Sequence, residues 1–205
     1  MTEVNLKLVG VNHKTTPVEI REKLAFTKGK IEESVNHLFN FPDIIEHTIL
    51  STCNRVEIYA RANSQDSAIK SIKQFICDFH QLSLVELEDH FYSYSNKEAV
   101  EHLFRVSSSL DSMILGEAQI LGQVKEAYSL ARDLRSTGLV LNQLFEKAFS
   151  IAKKVREETG IAERSVSISS AAVELAQKIF DDLENHTVML VGTGEMAELA
   201  AKHLI

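Results

Sequence analysis

His47-Thr-Ile-Leu-Ser-Thr-Cys-Asn-Arg-Val-Glu-Ile-Tyr-Ala-Arg61 is the stretch on which the fold turns. His47 to Ser51 and Val56 to Arg61 are rich in β-branched and aromatic residues and read as two strands, with Thr52-Cys53-Asn54-Arg55 as the junction between them. Working back towards the N-terminus, Asn5 to Val11 alternates Leu6 and Leu8 with more polar neighbours. It reads as a strand followed by the turn Asn12-His13-Lys14. Thr16-Pro17-Val18-Glu19 has the spacing of a capping box, in which the Thr16 hydroxyl accepts from the Glu19 N–H and Pro17 takes the first helical position. Ile31, Val35, Leu38 and Phe39 keep helical spacing until Phe41-Pro42.

Working forward, Ile69, Ile72, Ile76 and Phe79 mark an amphipathic helix, and Phe91 to Tyr94 reads as a short strand. The order strand, helix, strand, strand, helix, strand is the split βαβ arrangement of ferredoxin-like domains. From residue 96 the pattern is helical over about 96 to 107, 117 to 135 and 139 to 159, with Gly160 as a C-cap. A further helix covers 168 to 181. His186 to Val191 then reads as a buried strand running into Gly192-Thr-Gly-Glu-Met-Ala197. Strand, G-x-G-x-x-A and helix together form the layout of a dinucleotide phosphate site, where Gly192 permits the turn and Gly194 lets backbone approach a pyrophosphate. No second strand or acidic residue ~20 positions on follows before Ile205. The expected class is therefore α+β: a ferredoxin-like domain with an added helical part over 1–160, then the first βα unit of an incomplete Rossmann-type domain over 161–205. Cofactor binding by that stretch alone is expected to be weak or absent.

Composition narrows the function. The 205 residues are 44% hydrophobic, and no apolar run approaches the roughly 18 residues that cross a bilayer, so a cytoplasmic protein is expected. A formal charge of −7, from 22 basic and 29 acidic residues, argues against a general nucleic-acid binder. Lys125 to Arg156 runs the other way, with seven basic residues against three acidic ones, either as a phosphate-binding stripe or as a solvated helix face. The eight histidines lie in no ligand spacing, so no metal is expected. Two cysteines, in different contexts, give no disulfide framework. Cys77 beside Ile76 and Phe79 reads as a core residue. Cys53 has polar neighbours, and Arg55 would supply a cation favouring its thiolate.

Gly10-Val-Asn-His-Lys-Thr-Thr-Pro17, Ser51-Thr-Cys-Asn-Arg-Val-Glu57, Asp111 to Gln123 (DSMILGEAQILGQ), Ser169 to Ala176 and the Val191 to Ala197 turn together resemble, in order, the signature blocks of glutamyl-tRNA reductases. The resemblance implies NADPH-dependent reduction of the glutamyl ester of tRNA to glutamate-1-semialdehyde, the entry to tetrapyrrole biosynthesis, through a thioester on Cys53. It places Thr52, Asn54, Arg55, Ser112, Glu117, Ala118, Gln119 and Gln123 around the glutamyl group. Within that set Arg55 faces the side-chain carboxylate and Glu117 the α-ammonium. Ala118 stands where the family commonly has proline. His102 would assist proton transfer, and His13 would order the nearby loop. Gly192, Thr193, Gly194, Glu195, Met196 and Ala197 would hold the dinucleotide. Partners implied are glutamyl-tRNA, a second subunit through a C-terminal domain, and glutamate-1-semialdehyde aminomutase; no membrane is implied. Two other readings compete. One is a non-enzymatic RNA-binding module on a ferredoxin-like sheet, although the strands lack the paired exposed aromatics that stack bases. The other is an unrelated nicotinamide-dependent dehydrogenase, which leaves Thr52 to Arg55 unexplained.

Overall fold

Strands and helices follow one another as β1 (Leu6–Asn12), α1 (Val18–Leu24), α2 (Ile31–Leu38), β2 (Ile44–Ser51), β3 (Arg55–Ala62), α3 (Ala68–His80), the single-turn α4 (Leu84–Leu87), β4 (Tyr92–Ser95), α5 (Lys97–Ser107), α6 (Gln119–Asp133), α7 (Leu139–Glu158), α8 (Ile168–Phe180) and α9 (Glu195–Leu204). The computed structural model describes residues 4–27, 29–63, 67–162, 168–181, 183–192 and 195–204. The sheet order is β2-β3-β1-β4, with every neighbouring pair antiparallel. This is the expected split βαβ topology.

Period-2 alternation divides the sheet between two cores. Val9, Val11, Ile49, Val56, Ile58 and Ala60 face α1, α2 and α3. Leu6, Leu8, Leu50 and Tyr59 face α5, α6 and α7. All seven residues of β1 are buried, because both faces of the sheet are covered by helices. The "more polar neighbours" of Leu6 and Leu8 are thus inside as well, and Lys7 reaches the Ser95 hydroxyl at 3.0 Å. Cys77 sits in the α1–α3 core at 1% exposure.

Three local expectations are corrected. The α1 cap is not a capping box: Pro17, in an extended conformation, occupies the cap and no side chain bonds there. Thr16 is drawn away to the His90 carbonyl instead. Helix α7 ends at Glu158 with Thr159 as its C-cap, and Gly160 opens a short 3-10 turn. Residues 186–191 form no strand; Val188, Met189, Leu190 and Val191 are exposed, and they pair with no other strand among the described residues. A parallel-sheet strand is stabilised by neighbours on both sides, so its apolar pattern alone does not produce it. The helix of the expected βα unit, α9, does form.

The N-terminus of α7 is capped from a distance. The buried Glu46 carboxylate of β2 accepts from the N–H groups of Gly138 (3.0 Å), Val140 (3.3 Å) and Leu141 (2.7 Å). An anion there satisfies donors that the helix leaves unpaired and meets its positive dipole end. Glu46→Ala is expected to cost about 1–2 kcal/mol, read as a lower urea midpoint with unchanged slope; an unchanged midpoint would remove Glu46 from the cap.

Candidate active site

Cys53 stands at the apex of the β2–β3 hairpin and is exposed. The turn is fixed by its first residue. The Thr52 N–H donates to the Arg55 carbonyl at 2.8 Å, and the Thr52 hydroxyl accepts from the Asn54 N–H (3.2 Å) and Arg55 N–H (3.1 Å). Neighbouring segments pin the apex. The His13 N–H donates to the Asn54 carbonyl at 3.0 Å, and Arg21 of α1 donates from Nε to the Cys53 carbonyl (3.4 Å) and from Nη1 to the Thr16 carbonyl (2.6 Å). The contact that His13 makes to the loop is thus through its backbone. Burial, and then the Arg55 and Lys14 charges, hold its imidazole pKa down.

Arg55 does not reach for the thiol. At 1% exposure its Nη1 donates to Glu57 (2.7 Å) and its Nη2 to the Asp111 carbonyl (2.7 Å) and carboxylate (3.2 Å). The expectation that Arg55 favours the thiolate is therefore corrected. Partial burial pushes the Cys53 pKa up, the Glu117 carboxylate adds to that, and the cation acting against them is Arg21.

Glu57 is the centre of the buried network. Its Oε1 accepts from Arg55, Tyr92 (2.6 Å) and His102 Nε2 (2.8 Å), and its Oε2 from Tyr59 (2.6 Å). Complete burial would raise its pKa; the Arg55 guanidinium, His102 and the Tyr59 hydroxyl reverse this and hold it well below the usual carboxylate range. Strand geometry explains the convergence. Arg55, Glu57 and Tyr59 alternate onto one face of β3, and Gly10 on β1 lies between Glu57 and Tyr92 in the register. A Cβ on Gly10 would come within 2.8 Å of Glu57 Cγ and 2.9 Å of Tyr92 Oη, so glycine makes the room for that bond.

The loop from Ser109 to Ala118 closes the site from above. Arg156 of α7 holds it, donating from Nη2 to the Ser109 hydroxyl (3.1 Å) and the Glu117 carbonyl (3.0 Å). Gly116, at φ +84°, passes so near the Ile161 carbonyl that a Cβ would overlap it. Burial pushes the Glu117 carboxyl up, with Arg55 opposing. Asp111 moves the other way: burial would raise its pKa, and Lys14 and Arg55 bring it down.

Thr52, Cys53, Asn54, Arg55, Ser112, Glu117, Gln119 and Gln123 line one cavity of about 270 Å³, joined by Ser169 and Ala172 of α8 and Ala200 of α9. Ala118, the α6 cap residue, lines a neighbouring cavity that shares Gln119 and Gln123. His102 lies elsewhere. It lines a separate cavity of about 410 Å³ with Tyr92, Tyr94 and Asp111, and the buried Arg55–Asp111 pair contributes one residue to the lining of each cavity. In the glycine turn, Gly192 has φ +124° and α9 begins at Glu195, while Thr193 and Gly194 lie outside the described residues. The side chains of Glu195 and Met196 are likewise outside the description, and Ala197 is half-buried on α9. Among the described residues no cluster of three His, Cys, Asp or Glu side chains could hold a metal, and no helix is long and apolar enough to cross a membrane.

Residues 9–159 match the family model described as glutamyl-tRNAGlu reductase, N-terminal domain, and residues 174–205 match shikimate/quinate 5-dehydrogenase. The chain is 54% identical over 202 residues to the glutamyl-tRNA reductase of Geotalea uraniireducens, covering 98% of this chain and 46% of that relative. It is 51% identical to that of Magnetococcus marinus, covering 98% of this chain and 48% of the relative. Among solved structures, glutamyl-tRNA reductase from Methanopyrus kandleri superposes with a TM-score of 0.71 at 39% identity, over 97% of this chain and 46% of that one. The chain thus spans about half the length of the curated relatives it matches.

Proposed function

The chain belongs to the glutamyl-tRNA reductase family, and on that premise we propose that it carries the acylation half of a glutamyl-tRNA reductase reaction, with Cys53 as the nucleophile. The observation that supports this most is the single cavity holding an exposed cysteine on a rigid turn together with Ser112, Glu117, Gln119 and Gln123. The Cys53 sulfur attacks the ester carbonyl carbon of the glutamyl group. The carbon–oxygen bond to the terminal ribose breaks, and the thiol proton leaves with the ribose hydroxyl. The result is an enzyme thioester and free tRNA.

Glu117 has two tasks in this reading. Its carboxylate pairs with the α-ammonium of the glutamyl group, and in doing so it ceases to oppose ionisation of the Cys53 thiol. Substrate binding thereby helps to activate the nucleophile. Arg55 forms the positive wall for the glutamyl side chain; with both terminal nitrogens already bonded, it admits a substrate carboxylate by exchange with Asp111. The amides of Gln119 and Gln123, four residues apart on α6, supply neutral donors beside them. His102 acts as a positioning residue, holding Glu57 and, through it, Arg55.

The second half of the reading concerns residues 161–205, taken as the opening of a dinucleotide-binding domain after a catalytic domain of 1–160. The left-handed turn at Gly192 and the N-terminus of α9 fit a pyrophosphate, and Ala200 of α9 lines the Cys53 cavity. NADPH, when bound, supplies the hydride that releases the thioester as glutamate-1-semialdehyde. The same reading carries this oxidoreductase chemistry, its place in tetrapyrrole synthesis, a homodimer, a cytoplasmic location and hand-over to the aminomutase. An RNA-recognition module needs an open sheet face for stacking bases, and here both faces are covered.

The test is to mix the chain with tRNA charged with labelled glutamate, omit the dinucleotide, quench in acid and seek the glutamyl adduct on the Cys53 peptide. Failure to find it there while tRNA is bound would sink the assignment. A separate expectation concerns the resting thiol. Glu117→Gln removes the carboxylate that raises it, so the midpoint of the pH dependence of Cys53 alkylation moves down, while acylation by charged tRNA falls. An upward or absent shift of that midpoint contradicts the role given to Glu117.

A further inference from the structure

Seven basic residues between Lys125 and Arg156 are scattered over α6, α7 and the connection between them, and the fold gathers three of them. A cleft of about 570 Å³ between the two helices is lined by Leu121, Lys125, Phe149, Lys153, Arg156 and Glu157. Three cations thus face one carboxylate, in a chain whose net charge is −7. The Lys125 ammonium lies 5.8 Å over the Phe149 ring. Lys153 is paired with Glu157 at 3.6 Å, but those side chains are 75% and 63% exposed, and so open an ion pair is readily exchanged for a stronger anion.

The cleft is linked to the Cys53 cavity through Arg156 and Glu117. Arg156 lines the cleft, and the same guanidinium nitrogen donates to the carbonyls of Glu117 (3.0 Å) and Ala118 (3.5 Å), the entry to α6. Glu117 in turn lines the cavity of Cys53. That link gives a polymer with its terminal ester at Cys53 a route past Arg156 into the cleft.

We propose that the α6–α7 cleft is the track for the phosphodiester backbone of the tRNA acceptor end, with Lys125 and Lys153 as its phosphate contacts. This rests on the tRNA-substrate reading above and adds the surface to it. Phosphate contacts position a nucleic acid without reading its sequence. Arg156 is the hinge of the arrangement, because it orders the loop that carries Glu117.

Binding of glutamate-charged tRNA to the chain is measured against potassium chloride concentration, in a Cys53→Ser background that cannot consume the ligand. Lys125→Glu with Lys153→Glu is compared with Arg132→Glu with Lys147→Glu, an equal charge change on the same two helices outside the cleft. The cleft pair is expected to weaken binding about tenfold or more and to flatten the salt dependence by about 1.4–1.8 in log–log slope, as two lost phosphate contacts require. The outside pair changes both less. Equal losses from the two pairs overturn the cleft while leaving the tRNA reading standing; no binding by the background protein overturns both. Lys125→Gln with Lys153→Gln, carrying a smaller charge change, repeats the comparison if the reversal disturbs folding by circular dichroism.

Discussion

Cys53→Ser is expected to abolish the covalent glutamyl adduct and to lower the dinucleotide-independent release of glutamate from tRNA to the background of ester hydrolysis. The expectation comes from the turn itself. A thiolate is strongly nucleophilic once the substrate ammonium has paired with Glu117, whereas a serine hydroxyl in the same place needs an adjacent general base. His102, the residue expected to move protons, bonds to Glu57 and lines the other cavity. A missing base costs about 10²–10⁴ in rate, so the serine variant should be silent on the timescale of the assay. Cys77 is the internal control. At 1% exposure in the α1–α3 core it should remain unmodified in both proteins. Release of glutamate at the same rate by the serine variant would place the nucleophile elsewhere.

The ferredoxin-like order was legible because strand and helix periods differ, and because Thr52 to Arg55 is a polar interruption between two β-branched runs. The cavity partners were legible only through resemblance. Ser112, Glu117, Gln119 and Gln123 are far from Cys53 in sequence, and no periodicity brings the Ser109–Ala118 loop over a hairpin apex. The direction of Arg55 was misread for a physical reason. Arg55 opens β3, so its side chain follows the pleat onto the face that carries Glu57 and Tyr59, whereas Cys53 lies in the turn outside that alternation. A polar run at i, i+2 and i+4 inside a buried strand was the available signal for an internal network. The 186–191 segment failed differently, since its apolar pattern specifies a strand only where other strands pair with it. Glu46 as a cap for α7 lies 92 residues from the Gly138 N–H it accepts, a separation at which local sequence carries no trace.

Glu57→Ala carries the second large expectation, a loss of about 3–5 kcal/mol of stability, because it leaves Arg55 as a buried cation with Asp111 as its remaining carboxylate partner. Urea unfolding measures it, and a loss under about 1 kcal/mol would mean that the network adds little. The pH dependence has a fixed sign. The folded pKa of Glu57 lies below its ordinary value of 4.5, so its contribution is fully present above that value and is lost as pH falls towards the folded pKa. Stability of the unsubstituted chain should therefore drop more steeply below that point than stability of the variant. The same network separates two roles for His102. If it positions Glu57 by donating from Nε2, His102→Gln, which keeps a donor, should retain more Cys53 acylation than His102→Leu. The difference should lie mainly in the rate of acylation at saturating tRNA, as Arg55 and the hairpin apex lose their fixed geometry. If His102 instead carried the proton to the departing ribose oxygen, the two variants would be equally impaired. Tyr92→Phe gives an independent reading, since it removes one of the four donors to Glu57 without touching His102 and should cost about 1.5–3 kcal/mol.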